Sequence, residues 1–149
     1  MRYTLLLLLA FSALAQNPPD VKRGEQLAKQ KCDTCHTLRD PKGEPVVGLY
    51  AGGKVLVGVA SSNLTPDPSG IPYFDEKLFL QAVRTGQVGA RKLAPVMSPA
   101  LFKNFTDDDF RFIFAYLRTL PPVKHRVDNT EPPTLCKICR QKHGGGETN

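Results

Sequence analysis

Apolar residues recur at helical spacing in three separate stretches of the chain. Val21, Gly24, Leu27 and Ala28 share one face of a stretch that follows Asp20, a good N-cap, and predict a helix over about Val21 to Lys31. Leu78, Phe79, Ala82 and Val83 do the same over about Glu76 to Thr85, with Asp75 before the first turn and Gly86 after the last. The third stretch is the clearest. Phe110, Ile113, Phe114 and Leu117 line its apolar face, and Pro121-Pro122 stops it. At its start, Thr106-x-x-Asp109 resembles a capping box with aspartate in place of the longer glutamate, and Asp107 and Asp108 favour the positive helix end. Gly24 inside the first helix costs about 1 kcal/mol relative to alanine, a cost that close approach of another helix would justify.

Between these stretches the pattern breaks down. Thr37 to Pro72 holds Pro41, Gly43, Pro45, Gly48, Gly52-Gly53, Gly58, Pro66, Pro68 and Gly70, which rule out a long helix. Val55, Val57 and Val59 alternate and predict a short extended ribbon over Lys54 to Ala60. A second loop runs from Gln87 to Met97, and Pro99 to Phe105 reads as a short helical turn. There is no internal repeat. The expectation is an all-α domain of three main helices whose long loops are ordered by wrapping around a large, rigid, apolar body.

The first residues read differently. Met1-Arg2, an apolar run from Leu5 to Leu14 and the small-x-small triplet Ala13-Leu14-Ala15 have the form of a secretory leader over residues 1–15. The run is shorter than the ~20 residues of a comfortable membrane span. The expected organisation is then a folded domain over 16–122 and a tail over 123–149, exported to the periplasm with no stable membrane insertion after cleavage. The formal net charge of +6 falls by one when Arg2 leaves with the leader. That balance suits steering toward an acidic redox partner. It does not suggest nucleic acid, because the basic residues are dispersed and no aromatic-basic stripe accompanies them.

The chemistry is concentrated in Cys32-Asp33-Thr34-Cys35-His36. Two cysteines three apart with histidine directly after the second are what covalent attachment of one c-type haem requires. The thiols add across the two porphyrin vinyl groups, and His36 becomes an axial iron ligand. Met97, the methionine left after leader removal, is the candidate for the opposite ligand; Lys92, His125 and His143 are its rivals. The second imidazole nitrogen of His36 needs an acceptor, for which a backbone carbonyl near Pro45 is the candidate.

The arrangement resembles a monohaem class I cytochrome c. More narrowly, it resembles the cytochrome domains of electron-accepting subunits of bacterial alcohol and sugar-acid dehydrogenases. The matching pieces run from Asp20 to Pro122. They are Gly24-x-x-Leu27 before the haem motif, Ser62-Asn63-Leu64-Thr65-Pro66-Asp67, Phe79-x-x-Ala82-Val83-Arg84-Thr85-Gly86, Pro95-Val96-Met97, and Thr106-Asp107-Asp108-Asp109 leading to Ala115-Tyr116-Leu117-Arg118-Thr119-Leu120-Pro121. The resemblance implies that the first helix crosses the last at Gly24, near Tyr116. It also implies that the Asn63-Thr65-Pro66 loop lies along a haem edge and that Met97 completes the iron coordination. Met97 is followed by Ser98-Pro99 where the family pattern has proline directly. Asn63, Thr65, Tyr73 and Arg91 are candidates for holding the propionates or ordering the haem edge. Leu49, Ile71, Phe74, Phe79, Val83, Leu93 and Val96 are candidates for the apolar wall.

The tail carries a second pair, Cys136-Lys137-Ile138-Cys139, with arginine where a haem motif has histidine. An exported compartment favours a structural disulfide between Cys136 and Cys139. A reactive disulfide and a Cys136-Cys139-His143 metal cluster completed by His125 are the competing readings.

Function follows from the cofactor. One haem c held by His36 and Met97 implies a one-electron carrier rather than an enzyme, passing charge from a dehydrogenase or respiratory donor to a downstream cytochrome or oxidase. The alternatives are a peroxidase-type haem enzyme and a gas sensor in which Met97 is displaced.

Overall fold

The computed structural model describes residues 18–130 and 134–144, so the leader and its cleavage site lie outside the described residues. The helices are α1 (Val21–Lys31), the single turn α2 (Asp33–His36), α3 (Glu76–Thr85) and α4 (Asp107–Leu117), with 3-10 turns at Pro95–Met97 and Pro99–Phe102. Their ends are set by the side chains the sequence supplies. Asp20 accepts from the Arg23 N–H at 2.9 Å, and Asp75 from the Leu78 N–H at 2.7 Å. Gly86 closes α3 in the left-handed conformation that costs glycine least, with φ 70°. At α4 both halves of the capping box form between Thr106 and Asp109.

The core joins Leu27 and Ala28 of α1, Phe79, Ala82 and Val83 of α3, and Phe110, Ile113 and Leu117 of α4. Helices α1 and α4 cross with their backbones in contact. A Cβ at Gly24 would lie 1.9 Å from the Phe112 carbonyl oxygen, so only glycine fits there. The crossing point is Phe112–Ile113, one turn before the expected Tyr116. Tyr116 instead meets the buried Tyr50 edge-on, with ring centroids 5.9 Å apart.

Among the described residues, three two-stranded antiparallel hairpins decorate this core: β1 (Val55–Leu56) with β2 (Val59–Ala60), β3 (Gln87–Val88) with β4 (Arg91–Lys92), and β5 (Thr134–Leu135) with β6 (Lys142–His143). The expected ribbon over Lys54 to Ala60 is therefore folded in two. Val57 and Gly58 form the turn, with φ 50° and 79°, and Val57 is 92% exposed. A two-residue hairpin turn asks for positive φ at both centres, which glycine and asparagine supply and valine resists. Val57→Asn is expected to stabilise the protein by about 1 kcal/mol, seen as a higher thermal midpoint of the haem-loaded protein. An unchanged or lower midpoint would show that the tip is not strained.

The described part of the tail is docked on the domain. The Asn129 side chain accepts from the Ala60 N–H at 3.0 Å and donates to the Ala60 carbonyl at 2.8 Å, continuing the β2 edge with a side chain. The Asn63 amide donates to the Val123 carbonyl at 2.8 Å. No helix among the described residues is long and apolar enough to cross a membrane.

Candidate haem site

A single helical turn carries the attachment motif. Because the His36 N–H bonds back to the Cys32 carbonyl at 2.8 Å, the chain tightens and brings Cys32, Cys35 and His36 to one cavity wall. Asp33 braces the turn from outside. It accepts from the Thr37 hydroxyl at 2.6 Å, and its two oxygens accept from the Arg39 guanidinium at 3.0 and 2.8 Å. Burial raises its pKa, but the hydrogen bonds from Thr37 and Arg39 and the Arg39 charge outweigh that, so the carboxyl sits below its ordinary value. Burial, with smaller contributions from Cys35 and Asp33, pushes the Cys32 thiol up to about 12.

His36 is 8% exposed and its Nδ1 lies 2.8 Å from the Ser62 carbonyl oxygen. A carbonyl only accepts, so Nδ1 carries the proton and Nε2 carries the lone pair a metal needs. Burial lowers the His36 pKa, opposed by the Ser62 bond, which favours the neutral ligand form. The acceptor is not the expected carbonyl near Pro45. Pro45 pairs locally with Arg39, whereas the Gly52 N–H bonds to the His36 carbonyl at 2.7 Å and draws the 50–62 segment alongside the histidine.

Two adjoining cavities share His36, Leu64, Phe79, Leu93 and Met97 as walls. Met97 ends the 3-10 turn that Pro95 begins, and its N–H is held by the Ala94 carbonyl at 2.8 Å. Among the rival ligands, Lys92 is exposed, and His125 and His143 are buried together in the docked tail. Of the expected wall residues, Ile71, Phe74, Phe79, Leu93 and Val96 line the cavities. Val83 faces the helical core and Leu49 is 46% exposed. Leu56 and Val59 of the hairpin, Phe102 and the tail residue Val127 complete the walls. Their alternation and spacing gave no sign of this, because they converge only through the hairpin turn and the docked tail.

The candidate edge residues divide. Tyr73 and Arg91 line the second cavity, Tyr73 with 64% of its surface exposed. Asn63 lines it too, but its amide donates to the Val123 carbonyl and its oxygen accepts from the Thr65 N–H and hydroxyl at 2.9 and 2.8 Å. Thr65 is fully buried. Asn63 and Thr65 therefore spend their polar atoms on the protein itself, fixing the loop and the start of the tail. Asn63 nonetheless stays on the lining of the second cavity.

The donor set fits the group the motif demands: two thiols and a neutral imidazole on one wall, a thioether on a shared wall and apolar side chains between them. Cys32, Cys35 and His36 are the attachment residues of one covalently bound haem c. Comparison with known proteins agrees. The cytochrome c family profile matches residues 21–121. The chain is 32% identical over 120 residues to the fructose dehydrogenase cytochrome subunit of Gluconobacter japonicus, covering 77% of this chain and 24% of that protein. It is 33% identical over 110 residues to a subunit of the nicotinate dehydrogenase of Pseudomonas putida, covering 72% of this chain and 9% of that one. Over 173 residues it is 25% identical to the cytochrome c subunit of a quinone alcohol dehydrogenase from Gluconacetobacter polyoxogenes, covering 91% and 36%. The chain thus spans about a quarter or less of the first two relatives. With the attachment turn, the three capped helices and the profile match in agreement, the chain belongs to the cytochrome c family, as a class I domain resembling those in cytochrome subunits of bacterial dehydrogenases.

Proposed function

We propose that this chain is an exported, periplasmic one-electron carrier whose haem iron is held axially by His36 and Met97. Its donor is a dehydrogenase or a respiratory protein, and its acceptor a downstream cytochrome or oxidase. The observation that supports this most is the pairing of the Nδ1-protonated His36 and Met97 as walls of the same two apolar cavities. The bound haem supplies one-electron chemistry between ferric and ferrous iron. The protein's own part is to hold two axial groups on rigid elements and to keep water from the iron. His36 is fixed by a helical turn and the Ser62 bond; Met97 is fixed by a proline-started turn. Fixed ligands limit geometric change between oxidation states.

The relatives' description as dehydrogenase cytochrome subunits supports a dehydrogenase as the donor. The leader-like residues 1–15 support export. A peroxidase-type site draws less support. Among the described residues lining the two cavities, the groups able to exchange a proton besides His36 and the cysteines are Lys31, Tyr73 and Arg91, with no second histidine.

Visible and resonance Raman spectra in both oxidation states test the assignment. Low-spin histidine–methionine spectra and weak carbon monoxide binding are expected. A high-spin ferric spectrum with rapid peroxide turnover would replace the carrier with an enzyme, and ready carbon monoxide binding would point to a sensor. Exposed Lys31, at the mouth of the first cavity, is positioned to steer a partner. Lys31→Glu is expected to lower the association rate with an acidic redox partner several-fold at low salt, and the difference should shrink as salt rises. A rate that ignores both changes would remove the steering role.

A further inference from the structure

In this structure Cys136 and Cys139 are unbridged, and each sulfur lies beside an imidazole. Cys136 Sγ lies 3.6 Å from His125 Nε2, and Cys139 Sγ lies 3.2 Å from His143 Nε2. All four ligand atoms fall within 4.8 Å of one another. A tetrahedral zinc with ordinary ligand lengths holds a sulfur and a nitrogen about 3.5 Å apart. The Cys136–His125 pair at 3.6 Å already has that spacing, and the Cys139–His143 pair at 3.2 Å is slightly closer. The wider pairs, up to 4.8 Å, would draw in on the ion. We propose that His125, Cys136, Cys139 and His143 bind one structural zinc ion, separate from the haem, which fastens the tail to the domain.

The surroundings support a ligand site over a chance cluster. His125 is fully buried, and its Nδ1 donates to the Ala51 carbonyl at 2.7 Å, which leaves the Nε2 lone pair facing the sulfurs. His143 is buried beside it, with ring centroids 5.3 Å apart, and a backbone hydrogen bond with Arg126 acts on its ring. The turn that carries both cysteines is closed by its own backbone: the Cys136 N–H donates to the Gln141 carbonyl at 2.9 Å and the Arg140 N–H to the Cys136 carbonyl at 3.0 Å. The two cysteines sit in the tight turn between β5 and β6, where Arg140 takes a positive φ of 60°. Gly53 is opened to admit the cluster: a Cβ there would lie 2.5 Å from the His125 ring and 3.4 Å from Cys139 Sγ.

Two thiolates and two imidazoles with no open position describe a structural rather than a catalytic zinc. Binding is balanced as the release of two thiol protons, with no redox change. The fastening has a definite target. It anchors the tail on Ala51 and Gly53, beside the Gly52 N–H that bonds the His36 carbonyl.

The haem-loaded protein, purified without chelator or reductant, is to be assayed for zinc and by X-ray absorption at the zinc edge, where the haem does not interfere. About one zinc per chain is expected, with two sulfurs at about 2.3 Å and two nitrogens at about 2.0–2.1 Å. Cys139→Ser is expected to lose the zinc while keeping the haem spectrum. Should that variant fail to fold, alkylation of the wild type decides: both tail thiols are expected to be protected until a chelator is added. Protection relieved by a reductant alone would establish the disulfide instead. Absence of zinc, zinc retained in Cys139→Ser, or a coordination shell without sulfur would each overturn the site.

Discussion

Met97→Ala is expected to convert the haem spectrum from low-spin to high-spin, admit carbon monoxide readily and lower the reduction potential by on the order of 0.1 V. Axial ligand identity spans about 0.8 V across haem proteins, and a thioether favours the reduced state relative to a second imidazole or water. The size of the effect rests on position. Met97 shares both cavity linings with His36, and the Pro95–Met97 turn leaves it little freedom to be replaced by a neighbour. Met97→His separates loss of ligation from loss of packing, because it should stay low-spin yet show a lower potential than the wild type. Spectroelectrochemistry of the two variants measures all three properties. A Met97→Ala protein with unaltered spectrum and potential would show that sulfur is not on the iron.

Gly24→Ala tests the helical frame, and here two effects of opposite sign compete. Helix propensity alone favours alanine over glycine by about 1 kcal/mol. The added methyl, however, would sit 1.9 Å from the backbone oxygen of Phe112, which no side-chain rotation can relieve. Helices α1 and α4 must separate, and overpacking of this kind costs about 1–3 kcal/mol, or more when backbone has to move. The clash should win. A fall of about 4–12 °C in the thermal midpoint of the haem-loaded protein is expected, since a chain of this size shifts about 4 °C per kcal/mol. Loss of the haem environment should precede loss of helix on heating, because α1 leads directly into the attachment turn. A midpoint equal to or above the wild type would mean that the helices do not cross at this glycine.

These expectations reach the two ends of what could be read from the chain. Local signals determined the helices: Asp20, Asp75, Thr106 and Asp109 act on N–H groups within a few residues, and Gly86 closes its own helix. The attachment turn was legible for the same reason, since Cys32, Cys35 and His36 are neighbours in sequence and their chemistry needs no distant partner. Met97 stood out by elimination rather than by any local rule.

What depended on tertiary structure involved partners far apart along the chain. Ser62 rather than Pro45 holds His36 because the Gly52 bond brings residue 62 next to residue 36. Asn63 and Thr65 brace their loop because a segment some sixty residues later lies over them and shares hydrogen bonds with them. The alternation of Val55, Val57 and Val59 carried no information on where the ribbon would fold back. Cysteine spacing alone left a disulfide and a metal site as rivals. His125 joins the cysteines only through the fold, and its place beside Cys136 is set by Ala51, seventy-four positions earlier. Capping and covalent attachment are short-range and therefore written in the order of residues; the partners of a buried polar group are chosen by the packing that removes water from it.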